Sequence, residues 1–75
     1  MLDKIRTIIC KFVDIPPEDI TPETNIRHDL GLNSLELINL AVEIEEEFDV
    51  EIPDREAMDL ETVADAMRII EEYQD

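Results

Sequence analysis

NSLELINLAVEIEEEF, residues Asn33 to Phe48, carries two apolar patterns on one stretch, and their separation decides the fold. At helical spacing, Leu37, Leu40, Ala41, Ile44 and Phe48 fall within an arc of about 100°, the width of a stripe that faces a core. Leu35, Ile38 and Val42 fall on the opposite side, where a surface helix of a small domain is ordinarily polar. Asn39 and Glu46 border this second stripe on one flank and Glu45 on the other, so apolar and acidic groups share one outward face. That combination is expected of a docking surface rather than of a second core contact.

The helix opens with Asn33 as N-cap and Glu36 at its third position, an Asn-x-x-Glu form of the capping box, and is predicted to run to about Phe48. Gly31 permits the turn that precedes it. With Asn33 as the cap, the hydroxyl of Ser34 is left for another role. A hydrolase nucleophile is disfavoured: there is no Gly-x-Ser-x-Gly elbow, and the only histidine, His28, lies in a loop with no evident acidic partner. A structural residue of the first turn is one remaining reading. The other is a modification site, because an anion at a helix N-terminus meets unpaired N–H groups and the positive end of the dipole. No residue in the chain is placed to activate this hydroxyl, so a separate enzyme must install the group.

Outward from this helix, Leu2, Ile5, Ile8, Ile9, Phe12 and Val13 share one arc and predict a first helix from residue 2 to about 13, with Cys10 at the margin of the core. Pro16, Pro17 and Pro22 then forbid a continuous helix. Residues 14–33 are expected to form a long ordered loop anchored by Ile15, Ile20, Ile26, Leu30 and Leu32. Pro53 ends the region of the second helix, a short helix follows over roughly Asp54 to Met58, and Thr62 with Asp65 caps a last helix ending near Tyr73. Val63, Ala66, Met67, Ile70 and Tyr73 line one side of it. Ala41, Ala57, Ala64 and Ala66 are small residues expected near the interior. The expected architecture is all-α: a four-helix bundle of three longer helices and one short one, a single domain over residues 1–75, with a long loop between helices one and two.

A chain of 75 residues has one core and no room for a large active-site cleft. One cysteine precludes an intrachain disulfide, and no Cys/His set is spaced for zinc, so no metal site is expected. Asp3, Lys4, Arg6 and Lys11 interrupt any signal-peptide run, and no segment is long enough to insert in a membrane, so the protein is read as cytoplasmic. The net charge is −15, placed unevenly: residues 1–32 hold six acids and four bases, and residues 33–75 hold fifteen acids and two bases. Nucleic acid is a poor partner for such a surface, whereas basic patches on other proteins suit it.

The run DLGLNSLEL, followed by LAVEIEEEFDVEIPD, resembles the acyl carrier protein family, whose usual pattern is Asp-Leu-Gly-x-Asp-Ser-Leu, an acidic second helix and a Glu-Ile-Pro-Asp turn. Gly31, Ser34, Leu35, the Glu45-Glu46-Glu47-Phe48 run, Ile52, Pro53, Asp54 and Thr62-Val63 hold the expected places, and the likeness covers essentially the whole chain. It implies that Ser34 receives 4′-phosphopantetheine from coenzyme A through a magnesium-dependent phosphopantetheinyl transferase. The thiol of that arm then carries acyl cargo as thioesters. The protein would itself be no enzyme, and would serve as a monomer presenting cargo to loading and synthase enzymes of fatty-acid, polyketide or specialised lipid synthesis. Leu35, Glu36, Ile38, Val42, Glu45 and Glu46 match the family's docking helix, with Asn33, Asn39 and Asp54 beside them. Asn33 stands where the pattern has aspartate, and Asn39 where an acid is common, which points to a dedicated pathway with its own partners. An aminoacyl or peptidyl carrier and a non-carrier acidic helical adaptor remain the alternatives.

Overall fold

The computed structural model describes residues 1–74. Helices α1 (Leu2–Ile9), α2 (Ser34–Phe48), α3 (Asp54–Met58) and α4 (Val63–Tyr73) follow one another, with a short 3₁₀ turn at Pro17–Asp19. Among the described residues the only strand-like pairing is an isolated antiparallel bridge between Asn25 and Thr62. Among the described residues no helix is long and apolar enough to cross a membrane.

The second helix behaves as its spacing requires. Leu37, Leu40, Ala41 and Ile44 are buried, and they join Ile5, Ile8 and Ile9 of α1 in a single apolar cluster. The first helix is shorter than its apolar periodicity predicts, ending at Ile9 rather than near residue 13. Beyond Cys10 the hydrogen bonds tighten to three-residue spacing, Lys11 N–H to Ile8 O at 3.0 Å and Phe12 N–H to Ile9 O at 2.9 Å. Pro16 and Pro17 supply no donors and Pro16 disfavours a helical conformation at Ile15, so the helix has no continuation past this turn. Phe12 and Val13 still pack on the core, so the periodicity identified which residues pack while overextending the α-helix.

The long loop is held from both sides. Ile20 and Ile26 are fully buried and Leu32 nearly so, while Ile15 and Leu30 are only half-buried. Arg6 Nε donates to Ile20 O at 2.8 Å and Arg27 Nη2 to Met58 O at 2.6 Å, tying the loop to α1 and to the end of α3. Within the loop, Asn25 Oδ1 accepts the N–H groups of Arg27 and His28, and Asp29 Oδ2 accepts that of Asn25. These bonds make residues 25–29 a closed turn.

The same loop closes the start of α4. Val63 N–H donates to Thr24 O at 3.1 Å and Ala64 N–H to Pro22 O at 2.8 Å. Asp65 N–H donates to Thr62 Oγ1, and Asp65 Oδ2 accepts from Thr62 N–H, completing a capping box. Burial works against the charge of Asp65, but the N–H groups of Thr62 and Glu61 together with Arg68 outweigh it, so the carboxyl lies below the ordinary carboxylate range. Because its folded value is depressed, its stabilisation is complete above the unfolded value of about 3.9 and disappears as pH falls through the folded value. Asp65→Asn is therefore expected to lose about 1 kcal/mol at neutral pH, with the gap to the native protein narrowing as pH falls below the unfolded value of about 3.9 and through the lower folded one. Paired urea titrations across that range check this, and a gap independent of pH contradicts it.

On α4 the buried residues are Val63, Ala66, Ile69 and Ile70, with Met67 partly buried. Tyr73, expected on the buried side, is 41% exposed, and its hydroxyl contacts Glu56 on α3. That bond to a carboxylate raises the tyrosine above its ordinary value. Ile69 takes a core place that the spacing argument had not assigned. Ala64, the second residue of α4, is exposed, unlike buried Ala41, Ala57 and Ala66, because it faces away from the cluster.

Candidate functional site

Gly31 has φ +73°, and a Cβ added there would meet nothing within 4 Å. Glycine is therefore suited to this position by backbone conformation alone, not by crowding. The buried side chain of Leu32 follows, and its N–H donates to Ile26 O at 3.3 Å, which fixes the entry to α2. Asn33 is extended (φ −89°, ψ 178°), its Oδ1 accepting Glu36 N–H at 2.9 Å while Glu36 Oε1 accepts Asn33 N–H at 3.0 Å.

This box leaves the N–H groups of Ser34 and Leu35 with no protein acceptor among the described residues. The contrast with α4 is direct: there the first N–H groups are taken by loop carbonyls, whereas here the end of the helix is open. Ser34, the chain's only serine, is half-buried and its hydroxyl makes no hydrogen bond within the described residues. An oxygen on Ser34 carrying a phosphate would sit beside two free donors at the positive end of a 15-residue helix.

The second stripe of α2 is open to solvent. Leu35 is 66% exposed and Val42 43%, with Ile38 half-buried between them. Met58, at the end of α3, is also 43% exposed. A five-residue helix is too short for periodicity to have singled it out. The acids divide into groups that their spacing alone does not distinguish. Glu36 is occupied in the capping box, and Glu45 turns its Oε2 onto Ile52 N–H at 2.6 Å. Glu43 pairs with Lys11 at 2.6 Å and Glu47 with Lys4 at 4.0 Å, the Lys4 ammonium also lying 5.8 Å from the Phe48 ring centre. The bond to Glu43 raises Lys11 above its ordinary value. Glu46 is exposed and without a cation among the described residues, as is Asn39 without a hydrogen-bond partner. Asp54 is exposed but stands at the start of α3, on a different element.

His28 is exposed and contributes a backbone N–H to the loop turn; it forms no Ser–His pair with Ser34 among the described hydrogen bonds. Cys10 is half-buried, its Sγ 3.5 Å from Ile15 O. No cluster of His, Cys, Asp and Glu able to hold a metal ion occurs among the described residues. The acidic groups at the end of α2 face the negative end of its dipole with no basic residue in the last turn. Screening should therefore stabilise the fold. Raising the ionic strength from low to moderate is expected to lift Tm by roughly 4–8 °C, the shift that about 1 kcal/mol produces in a domain of this size. An unchanged Tm by calorimetry contradicts this.

A family model described as the phosphopantetheine attachment site matches residues 3–70. An acyl carrier protein of Phenylobacterium zucineum (strain HLK1) is 40% identical over 72 residues, spanning 96% of this chain and 91% of that protein. Among solved structures, that of the acyl carrier protein from Enterococcus faecalis aligns with a TM-score of 0.82 at 34% identity, covering 97% of this chain and 92% of the other. The solution structure of the apo doublet acyl carrier protein from prodigiosin biosynthesis gives a TM-score of 0.80 at 19% identity, over 97% of this chain and 35% of that one, a likeness of fold.

Proposed function

The chain belongs to the acyl carrier protein family, whose members carry 4′-phosphopantetheine covalently, and from this premise we propose that Ser34 is its attachment residue. Members of the family are carriers, not enzymes. When bound, the arm supplies a terminal thiol on which acyl groups ride as thioesters.

The observation that supports Ser34 is the open start of α2: an unbonded hydroxyl next to two N–H groups that nothing among the described residues claims. The chain's own residues prepare and orient this position. Gly31 and Leu32 fix the approach, and Asn33 and Glu36 lock the first turn. Ser34 and Leu35 N–H, with the helix dipole, favour the phosphate charge. The Ser34 hydroxyl is hydrogen-bonded to no base among the described residues, so the removal of its proton falls to the phosphopantetheinyl transferase.

Partner enzymes are proposed to dock on Leu35, Ile38 and Val42, with Met58 at the edge and Glu46 as the free acid that meets a basic patch. The test is incubation with coenzyme A, magnesium and a promiscuous transferase, read by intact mass and thiol titration. One added phosphopantetheine per chain is expected, with one titratable thiol beyond Cys10. No addition with several transferases would overturn the assignment in favour of an acidic adaptor.

A further inference from the structure

Glu45 does more than border the outward stripe, and we infer that it is a latch coupling partner docking to the loop between α2 and α3. This inference rests on the docking reading above. Three N–H groups of the loop end on this one residue. Its carbonyl accepts from Asp49 and, at 3.2 Å, from Val50, while its carboxylate Oε2 accepts from Ile52 at 2.6 Å.

The loop depends on that hold. Asp49 is left-handed (φ 55°, ψ 52°), the only non-glycine residue of positive φ among those described. An aspartate adopts this conformation at a cost that the surrounding bonds must offset. Val50 and Ile52 insert buried side chains at this end of the bundle, so release of the Ile52 bond frees apolar anchors as well as backbone. The site is accessible from outside, because Glu45, Val50, Ile52 and Tyr73 line an open concavity at the surface.

Glu45 also follows Ile38 and Val42 at seven- and three-residue spacing along α2, which puts it on the flank of the exposed stripe. Glu45 Oε1 has no protein donor among the described residues. A guanidinium arriving at the stripe therefore meets a carboxylate that is already committed to the loop by one oxygen. Each oxygen has a second lone pair, so pairing does not by itself expel Ile52 N–H; a guanidinium held at the stripe instead draws the carboxylate toward itself and shares its charge, which lengthens and weakens the Ile52 bond. The differential interaction required to shift the loop is this outward pull on the carboxylate. By linkage, a loop already released strengthens binding of the basic partner by the same factor.

The test is residue-resolved amide exchange by NMR on the full chain at low ionic strength, alone and with a tetra-arginine peptide. The peptide is expected to speed exchange at Ile52 by about tenfold, the weakening of one charge-assisted bond, while leaving Ile44 unchanged. In Glu45→Gln, whose neutral oxygen is the weaker acceptor, Ile52 exchange is already raised and the peptide adds nothing. Glu71→Gln, an exposed acid on α4 outside the docking face, retains the native rate at Ile52 in the free protein; an equal rise there would assign the effect to net charge and overturn the latch. Peptide-induced shifts on α2 with unchanged Ile52 exchange also overturn the latch, and leave docking standing. Absence of any α2 response to the peptide overturns the docking reading itself.

Discussion

Ser34→Ala is expected to abolish phosphopantetheine addition completely while leaving the fold in place. The side chain is half-buried and takes no part in the described hydrogen bonds, the cap being supplied by Asn33 and Glu36. Alanine is also the better helix former at a first-turn position. The change in unfolding free energy should thus stay within about 0.5 kcal/mol. Intact mass and a thermal melt on the same sample separate the two roles of the residue. Full folding with no added mass is the expected result. Added mass on the variant would move the site to another hydroxyl, and a large loss of stability would return Ser34 to a structural role.

Ile44→Ala is expected to cost about 2–5 kcal/mol, whereas Val42→Ala, two positions away, should change stability by no more than about 0.5 kcal/mol. Ile44 is fully buried and Val42 is 43% exposed, so the pair samples the two faces of α2 with aliphatic truncations of similar kind. Against a total stability of roughly 4–11 kcal/mol for a domain of this length, the first loss leaves a large unfolded fraction under mild denaturant. Urea titration measures both. Comparable losses would mean that the stripe bearing Leu35, Ile38 and Val42 is covered by the rest of the bundle, and with it the docking face would fall. The expected consequence of Val42→Ala is instead weaker partner encounter in a normally folded protein.

The parts of this fold that the sequence discloses are those governed by short separations. The two faces of α2 follow from spacing along one helix. Both capping boxes, Asn33 with Glu36 and Thr62 with Asp65, join residues three apart. Such bonds depend on little beyond the local backbone. The end of α1 was harder, since Phe12 and Val13 pack as a helical stripe would although the backbone has already tightened into a turn. Tyr73 shows the same limit at the other terminus: its position on the wheel is apolar-facing, yet a hydroxyl that finds Glu56 keeps the ring outside.

The acidic run of α2 was the least legible. Glu43, Glu45, Glu46 and Glu47 are equivalent by composition, and spacing sets the flank from which each leaves α2 but not what its long side chain reaches. Lys11 lies 32 residues from Glu43, and Ile52 seven from Glu45. Helical spacing sets the direction in which a side chain leaves the backbone, but a flexible carboxylate goes where a donor waits. The setting of Ser34 was legible because its neighbours, not its own contacts, define it. Asn33 removes the need for a capping serine, and the fold then adds what spacing could not show, that the loop closes the start of α4 while leaving the start of α2 open.

Fragmentation mass spectrometry of the modified chain tests the assignment of Ser34 most directly. Phosphopantetheine is expected on the peptide containing Gly31 to Glu36, localised to Ser34, at one group per chain. A group found on a threonine or on Tyr73, or a chain that a competent transferase leaves unmodified, would contradict it.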